Sequence, residues 1–136
     1  MTHVTSHIHP RVLVIEDDES VTRMLRFSFR SAGFDTAEVV TGGEALHILK
    51  QQPPDAAVLD LQLPDSQGGA VLEWLRQLDE RARSSPVWVV ISALDRNEAT
   101  RRYGPLGSHF LAKPFNPWDL VAMLQSLLLA KASDGP

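Results

Sequence analysis

The chain has 136 residues, 43% of them hydrophobic and 22% charged, which suits one domain with a buried core rather than a disordered polymer. Its formal net charge of −4 argues against a basic face that grips phosphate backbones, and so against nucleic-acid binding by this domain. The lack of cysteine excludes disulfides, zinc-thiolate sites and cysteine nucleophiles. No apolar run approaches the ~18 residues of a membrane span, so a cytoplasmic protein without membrane contact is expected.

Residues 1–10 form a polar leader with His3, His7 and His9 and no apolar stretch, so it is not a signal peptide. The irregular spacing of these histidines favours a flexible leader over a metal site. Arg11–Ile15 is a short β-branched run that stops abruptly at the acids Glu16–Glu19, which reads as a buried strand ending on charge. From Ser20 the apolar positions Val21, Met24, Leu25 and Phe29 follow a helical period that halts at Gly33. Phe34–Val40 is a second, partly polar strand. Thr41–Gly43 opens a helix with Ala45, Ile48 and Leu49 on one side, terminated by Pro53 and Pro54.

Ala56–Leu59 is another buried strand, and it too ends on an acid, Asp60. The loop Leu61–Gly69 leads into a helix whose Val71, Leu72, Leu75 and Leu78 face inward. A polar connector over Arg81–Ser85 precedes the apolar strand Val87–Ile91, which ends at the hydroxyl of Ser92. A weaker, charged helix over Arg96–Tyr103 and a Gly/Pro-interrupted loop come next. His109–Ala112 is a short fifth strand ending at Lys113 and Pro114. The last helix is capped by Asn116, starts at Pro117, and carries the stripe Leu120, Val121, Leu124, Leu127 and Leu128. Lys131–Pro136 is expected to be loose, giving a domain over 11–131 and a tail or linker over 132–136.

Strand and helix alternate five times, and the strands show no in/out pattern. Such strands are buried on both faces, which predicts a parallel sheet sandwiched by helices. Ligands of these sheets sit beyond the carboxyl ends of the strands. That edge collects Glu16, Asp17, Asp60, Ser92 and Lys113. Three carboxylates there repel one another unless a cation intervenes, and one lysine is too little charge. A hard divalent ion, Mg2+ or Mn2+, suits their oxygens. No P-loop or G-x-G-x-x-G follows the first strand, and no histidine lies near enough in this set for a hydrolase triad. A carboxylate, a hydroxyl, an ammonium and a metal fit phosphoryl transfer to or from Asp60.

Four segments then carry a resemblance: VLVIEDDE (Val12–Glu19), AAVLDLQLPDSQGG (Ala56–Gly69), VWVVISA (Val87–Ala93) and FLAKPF (Phe110–Phe115). In this order and spacing they resemble the receiver domain of bacterial response regulators, over about Arg11 to Lys131. The resemblance implies a flavodoxin-like, doubly wound five-stranded parallel sheet of order 2-1-3-4-5, with helices on both faces. It implies that Asp60 accepts a phosphoryl group from a histidine kinase or a histidine phosphotransfer protein. Asp17 would bind Mg2+ directly and Glu16 through water, with Asp60 and the backbone carbonyl of Gln62 completing the metal site. Ser92, the backbone N–H of Ala93 and Lys113 would stabilise the phosphoryl group, with a cis bond before Pro114. Ser92 and Phe110 occupy switch positions: Ser92 would move to the phosphoryl group, Phe110 would follow into the vacated space, and the fourth-helix to fifth-helix face would change its affinity for a downstream protein. The domain would not be an enzyme in its own right, although it would assist its own phosphorylation and dephosphorylation.

Other residues have plainer expectations. Asp18 and Glu19 read as helix-start charges, Trp74, Trp88 and Trp118 as packing groups, and His47 and His109 as surface or loop residues. Ser108, His109 and Met123 stand where one class of relatives carries charges used in dimerisation, which disfavours that dimer. The sequence leaves two alternatives: a receiver-like interaction module that works without phosphorylation, and a small phosphatase with an aspartyl-phosphate intermediate. The second is weakened by Gln62, which stands where such enzymes place a second acid.

Overall fold

The computed structural model describes residues 9–79, 82–107 and 109–133. Strands β1 (Arg11–Ile15), β2 (Asp35–Val39), β3 (Ala56–Asp60), β4 (Val87–Ser92) and β5 (Phe110–Ala112) alternate with helices α1 (Glu19–Ser31), α2 (Gly42–Gln51), α3 (Gly68–Arg76), α4 (Arg96–Tyr103) and α5 (Pro117–Ser133). All pairings are parallel and the order is β2-β1-β3-β4-β5. The topology is the doubly wound one expected.

The strands lack an in/out pattern because both faces are covered. Leu13, Ile15, Ala57, Leu59, Val90 and Phe110 pack on one side with Ala45, Leu49, Val71, Leu72 and Leu75 of α2 and α3. Their sequence neighbours Val12, Val14, Ala56, Val58, Val89 and Ile91 pack on the other with Leu25 and Phe29 of α1 and Leu120, Val121 and Leu124 of α5. Strand alternation thus fills two cores at once. β2, at the sheet edge, is only partly buried, which accounts for its polar sequence DTAEV.

Several boundaries differ from expectation. β2 and β5 each begin one residue later than read, at Asp35 and Phe110. Residues Lys131 to Ser133, expected to be loose, are the last turn of α5, and Lys131 Nζ donates to the Ser85 carbonyl. Pro10, read as part of the leader, accepts a 2.9 Å bond from Asp35 N–H, and His9 Nδ1 lies 3.2 Å from the Gly33 carbonyl. His3, His7, Ser108 and residues 134–136 fall outside the described residues. Of the three tryptophans, Trp74 and Trp88 pack against the core, whereas Trp118 is 48% exposed and is not the packing group expected. Leu127 and Leu128 are only partly buried. Among the described residues, no helix is long and apolar enough to cross a membrane.

Candidate functional site

The strand order places the switch point between β1 and β3, whose connections leave in opposite directions. Ile15 pairs with Leu59, so the next residues, Glu16 and Asp60, emerge side by side. Asp60 pairs with Ile91, which puts Ser92 one step further out, opposite Ala112. A 2.7 Å bond from Lys113 N–H to the Ser92 carbonyl continues that ladder and brings Lys113 to the same edge. The Lys113–Pro114 peptide bond is cis.

Lys113 Nζ donates to Glu16 Oε1 at 2.6 Å and to Asp60 Oδ2 at 3.1 Å. Both carboxylates are deeply placed, with Glu16 1% and Asp60 3% exposed. Asp60 Oδ1 accepts from Gln62 N–H at 3.0 Å. Glu16 Oε2 accepts from the N–H groups of Asp17 and Asp18 at 3.1 and 3.4 Å. Burial pushes the Glu16 carboxyl up to about 7; neighbouring Asp60 adds to this and Lys113 opposes it. Burial works against the Lys113 charge, but its contacts with Glu16 and Asp60 outweigh that and raise its pKa.

Asp17 is exposed at the mouth of the site. Glu16, Asp17 and Asp60 each offer an oxygen within 4.8 Å of the others. Three hard oxygen donors facing one ammonium fit a divalent cation such as Mg2+. Both oxygens of Glu16 and both of Asp60 already accept hydrogen bonds, from the Asp17 and Asp18 N–H groups, the Gln62 N–H and Lys113 Nζ, whereas Asp17 lies exposed beside them. Asp18 stays out of this set: it caps α1, its Oδ1 accepting from Ser20 N–H at 2.9 Å and Val21 N–H at 3.4 Å.

Ser92 is fully buried, and its Oγ accepts a 3.0 Å bond from Leu94 N–H, which leaves the hydroxyl proton for another acceptor. Ala93, the next residue, is exposed, as is Gln62 after Asp60. Val90 and Phe110 are paired, so Phe110 and Ser92 share one sheet face. Phe110 is only 9% exposed and belongs to the core cluster of Val90, Ala99 and Leu106. The ring thus lies inside the domain, on the same sheet face as Ser92.

Two features escaped the sequence reading. Asp65, in the loop after β3, caps α2 from outside: its Oδ1 and Oδ2 accept from the N–H groups of Gly42 and Gly43, each at 3.0 Å. Those bonds, with Gly43 first, hold its carboxyl below the ordinary range. The acid between Pro64 and Gly68 was the available signal, but its partner lies over twenty residues away in sequence. Gly68 is the second. A Cβ there would stand 2.1 Å from the Leu61 carbonyl oxygen, so only glycine lets α3 start so close to the end of β3.

The model of the response regulator receiver domain matches residues 12–125. The transcriptional regulatory protein PrrA of Mycobacterium tuberculosis is 38% identical over 134 residues, covering 97% of this chain and 54% of that protein. The DNA-binding response regulator MtrA of Mycolicibacterium smegmatis is 32% identical over 118 residues, covering 87% of this chain and 50% of that protein. The chain thus spans about half the length of these curated relatives. Among solved structures, the signal receiver domain of a Luxo repressor protein from Vibrio parahaemolyticus aligns with a TM-score of 0.76 at 26% identity, covering 93% of this chain and 95% of that one. By sequence and by fold, the chain belongs to the response regulator receiver domains, the phospho-accepting signalling switches of two-component systems.

Proposed function

We propose that Asp60 is the phosphoacceptor and that a histidine kinase or histidine phosphotransfer protein is the donor. The observation that carries this reading is the single ammonium of Lys113 bridging Glu16 and Asp60 beside Asp17, at the topological switch point of the sheet. An Asp60 carboxylate oxygen attacks the phosphorus, the P–O bond forms, the P–N bond breaks, and the imidazole nitrogen leaves with the electron pair. Lys113 Nζ, the Ser92 hydroxyl and the Ala93 N–H donate to the phosphoryl oxygens, where negative charge is concentrated.

Asp17, Asp60 and the Gln62 carbonyl would hold Mg2+, with Glu16 assisting through water. When bound, the ion neutralises charge on the phosphoryl oxygens. The same groups assist hydrolysis of the acyl phosphate, so the domain takes part in its own resetting without being an enzyme for an outside substrate. Phosphorylation adds nearly two negative charges next to Ser92 and Lys113. The response spreads from Ser92 to the α4–α5 face, where a downstream protein reads it. A cytoplasmic location follows from the family role.

Incubation of the protein with acetyl phosphate and Mg2+, followed by intact-mass spectrometry, tests this reading. One added phosphoryl group is expected, absent in Asp60→Asn and without chelatable metal. No mass gain in the wild-type protein, or an equal gain in Asp60→Asn, counts against it.

A further inference from the structure

We propose that Arg96 is a positioning residue that latches Phe110 inside the domain before phosphorylation. Arg96 opens α4, and its Cζ stands 5.2 Å from the centroid of the Phe110 ring. From there Nη1 donates to the Gly107 carbonyl at 3.0 Å. One guanidinium therefore covers the ring by a cation–π contact and ties down the backbone three residues before it. A ring that swings outward must displace this group.

The backbone around the latch bends at two glycines. Gly104 and Gly107 both have positive φ, +82° and +76°, so the segment between α4 and β5 turns on two residues whose conformation glycine alone adopts readily. The far end of that segment is held separately by Arg76 of α3. Its Nε donates to the Pro105 carbonyl at 2.8 Å, its Nη2 to the Tyr103 carbonyl, and its Nη1 to Glu73 at 2.9 Å. Arg76 thus pins the loop without touching Phe110, while Arg96 pins both. The two arginines separate loop tethering from ring positioning.

Phe110 shares its sheet face with Ser92, its strand partner Val90 lying two residues before that serine. The latch itself needs no phosphoryl chemistry. Its consequence rests on the reading of Asp60 as acceptor: the aromatic position is preset by Arg96, and phosphorylation moves Ser92 with little further movement of the ring. Loss of the latch would return the ring to control by phosphorylation, because a ligand shifts an equilibrium only between states that differ in affinity for it.

Fluorine NMR of the full chain labelled with para-fluorophenylalanine tests the latch, with the Phe110 resonance assigned through Phe110→Leu and its exposure read from relaxation by a soluble gadolinium chelate. Unphosphorylated Arg96→Ala should raise the ring-out population about two- to fivefold, the effect of losing one exposed cation–π contact. Arg96→Lys, which keeps a cation over the ring, should recover part of the change. Arg76→Ala should loosen the loop amides and leave the Phe110 signal in place. An unchanged Phe110 signal in Arg96→Ala, or an equal change in Arg76→Ala, overturns the latch. With acetyl phosphate and Mg2+, the Arg96→Ala signal should move back toward the wild-type position while the wild-type signal stays. A large phosphorylation-dependent movement in the wild-type protein overturns the preset. A wild-type protein that accepts no phosphoryl group refutes the role of Asp60 instead, and the unphosphorylated comparison still decides the latch.

Discussion

Replacing Glu16 by glutamine should remove a specific pH dependence of stability in the metal-free protein. The Glu16 carboxyl is almost wholly buried, and burial together with Asp60 raises it from 4.5 to about 7 against the opposing pull of Lys113. A folded-state value above the unfolded one means that the native protein binds the extra proton. The associated stability is complete below about 4.5 and is lost as pH rises through about 7. At ~1.4 kcal/mol for each pH unit, the rise amounts to about 3 kcal/mol lost between pH 4.5 and pH 8. Urea unfolding in chelator, followed by circular dichroism at pH 5 and pH 8, measures it. Wild-type stability minus that of Glu16→Gln should fall by about that amount across the interval, and Mg2+ should restore much of it at pH 8 by binding only the native carboxylates. Equal pH slopes in the two proteins, or a difference that grows with pH, would refute the assignment of a raised pKa to buried Glu16.

Lys113→Ala should have opposite effects on two properties. Removing the cation beside three carboxylates should tighten Mg2+ binding by roughly tenfold, measured by calorimetry, while phosphorylation by acetyl phosphate slows about 10²–10³-fold for want of a donor to the phosphoryl oxygens. Gly68→Ala should cost about 1–3 kcal/mol in urea unfolding, because the new methyl group meets the Leu61 carbonyl oxygen and that backbone must move. Asp65→Ala should lower the thermal midpoint by a few degrees at pH 7 and progressively less as pH falls below the ordinary carboxylate range. The Asp65 carboxyl is held below its usual value by Gly43 and Gly42, so its contribution is present above the ordinary carboxylate pKa and disappears as pH falls through the depressed one.

The parts of this molecule that depend on strand burial were legible in the sequence. Val12–Ile15, Ala56–Leu59 and Val87–Ile91 must be covered on both faces, and that requirement alone leads to a parallel sheet and to Glu16, Asp60 and Ser92 at one edge. Asp18 was legible as a helix start because capping is local. Asp65, Arg76 and Arg96 were not, since each acts on a backbone carbonyl or N–H in a segment brought near only by the fold. The same reason explains Trp118 and Lys131. Periodicity in α5 marks its buried stripe, but not that the helix start leaves a tryptophan half in solvent, nor that its last turn reaches the Ser85 carbonyl. Phe110 was expected at a switch position, whereas no motif announces the guanidinium of Arg96 that stands over its buried ring.

The central claim is that Asp60, and no other carboxylate in the cluster, carries the phosphoryl group. Reductive trapping tests it most directly. The protein is treated with a small phosphoimidazole donor and Mg2+, reduced with borohydride, digested and sequenced by mass spectrometry. The geometry predicts reduction of the aspartate at position 60 alone, dependent on Mg2+ and strongly diminished in Lys113→Ala. Reduction at Asp17 or at another acid, or none at position 60 under conditions that phosphorylate a known receiver domain, would contradict the account.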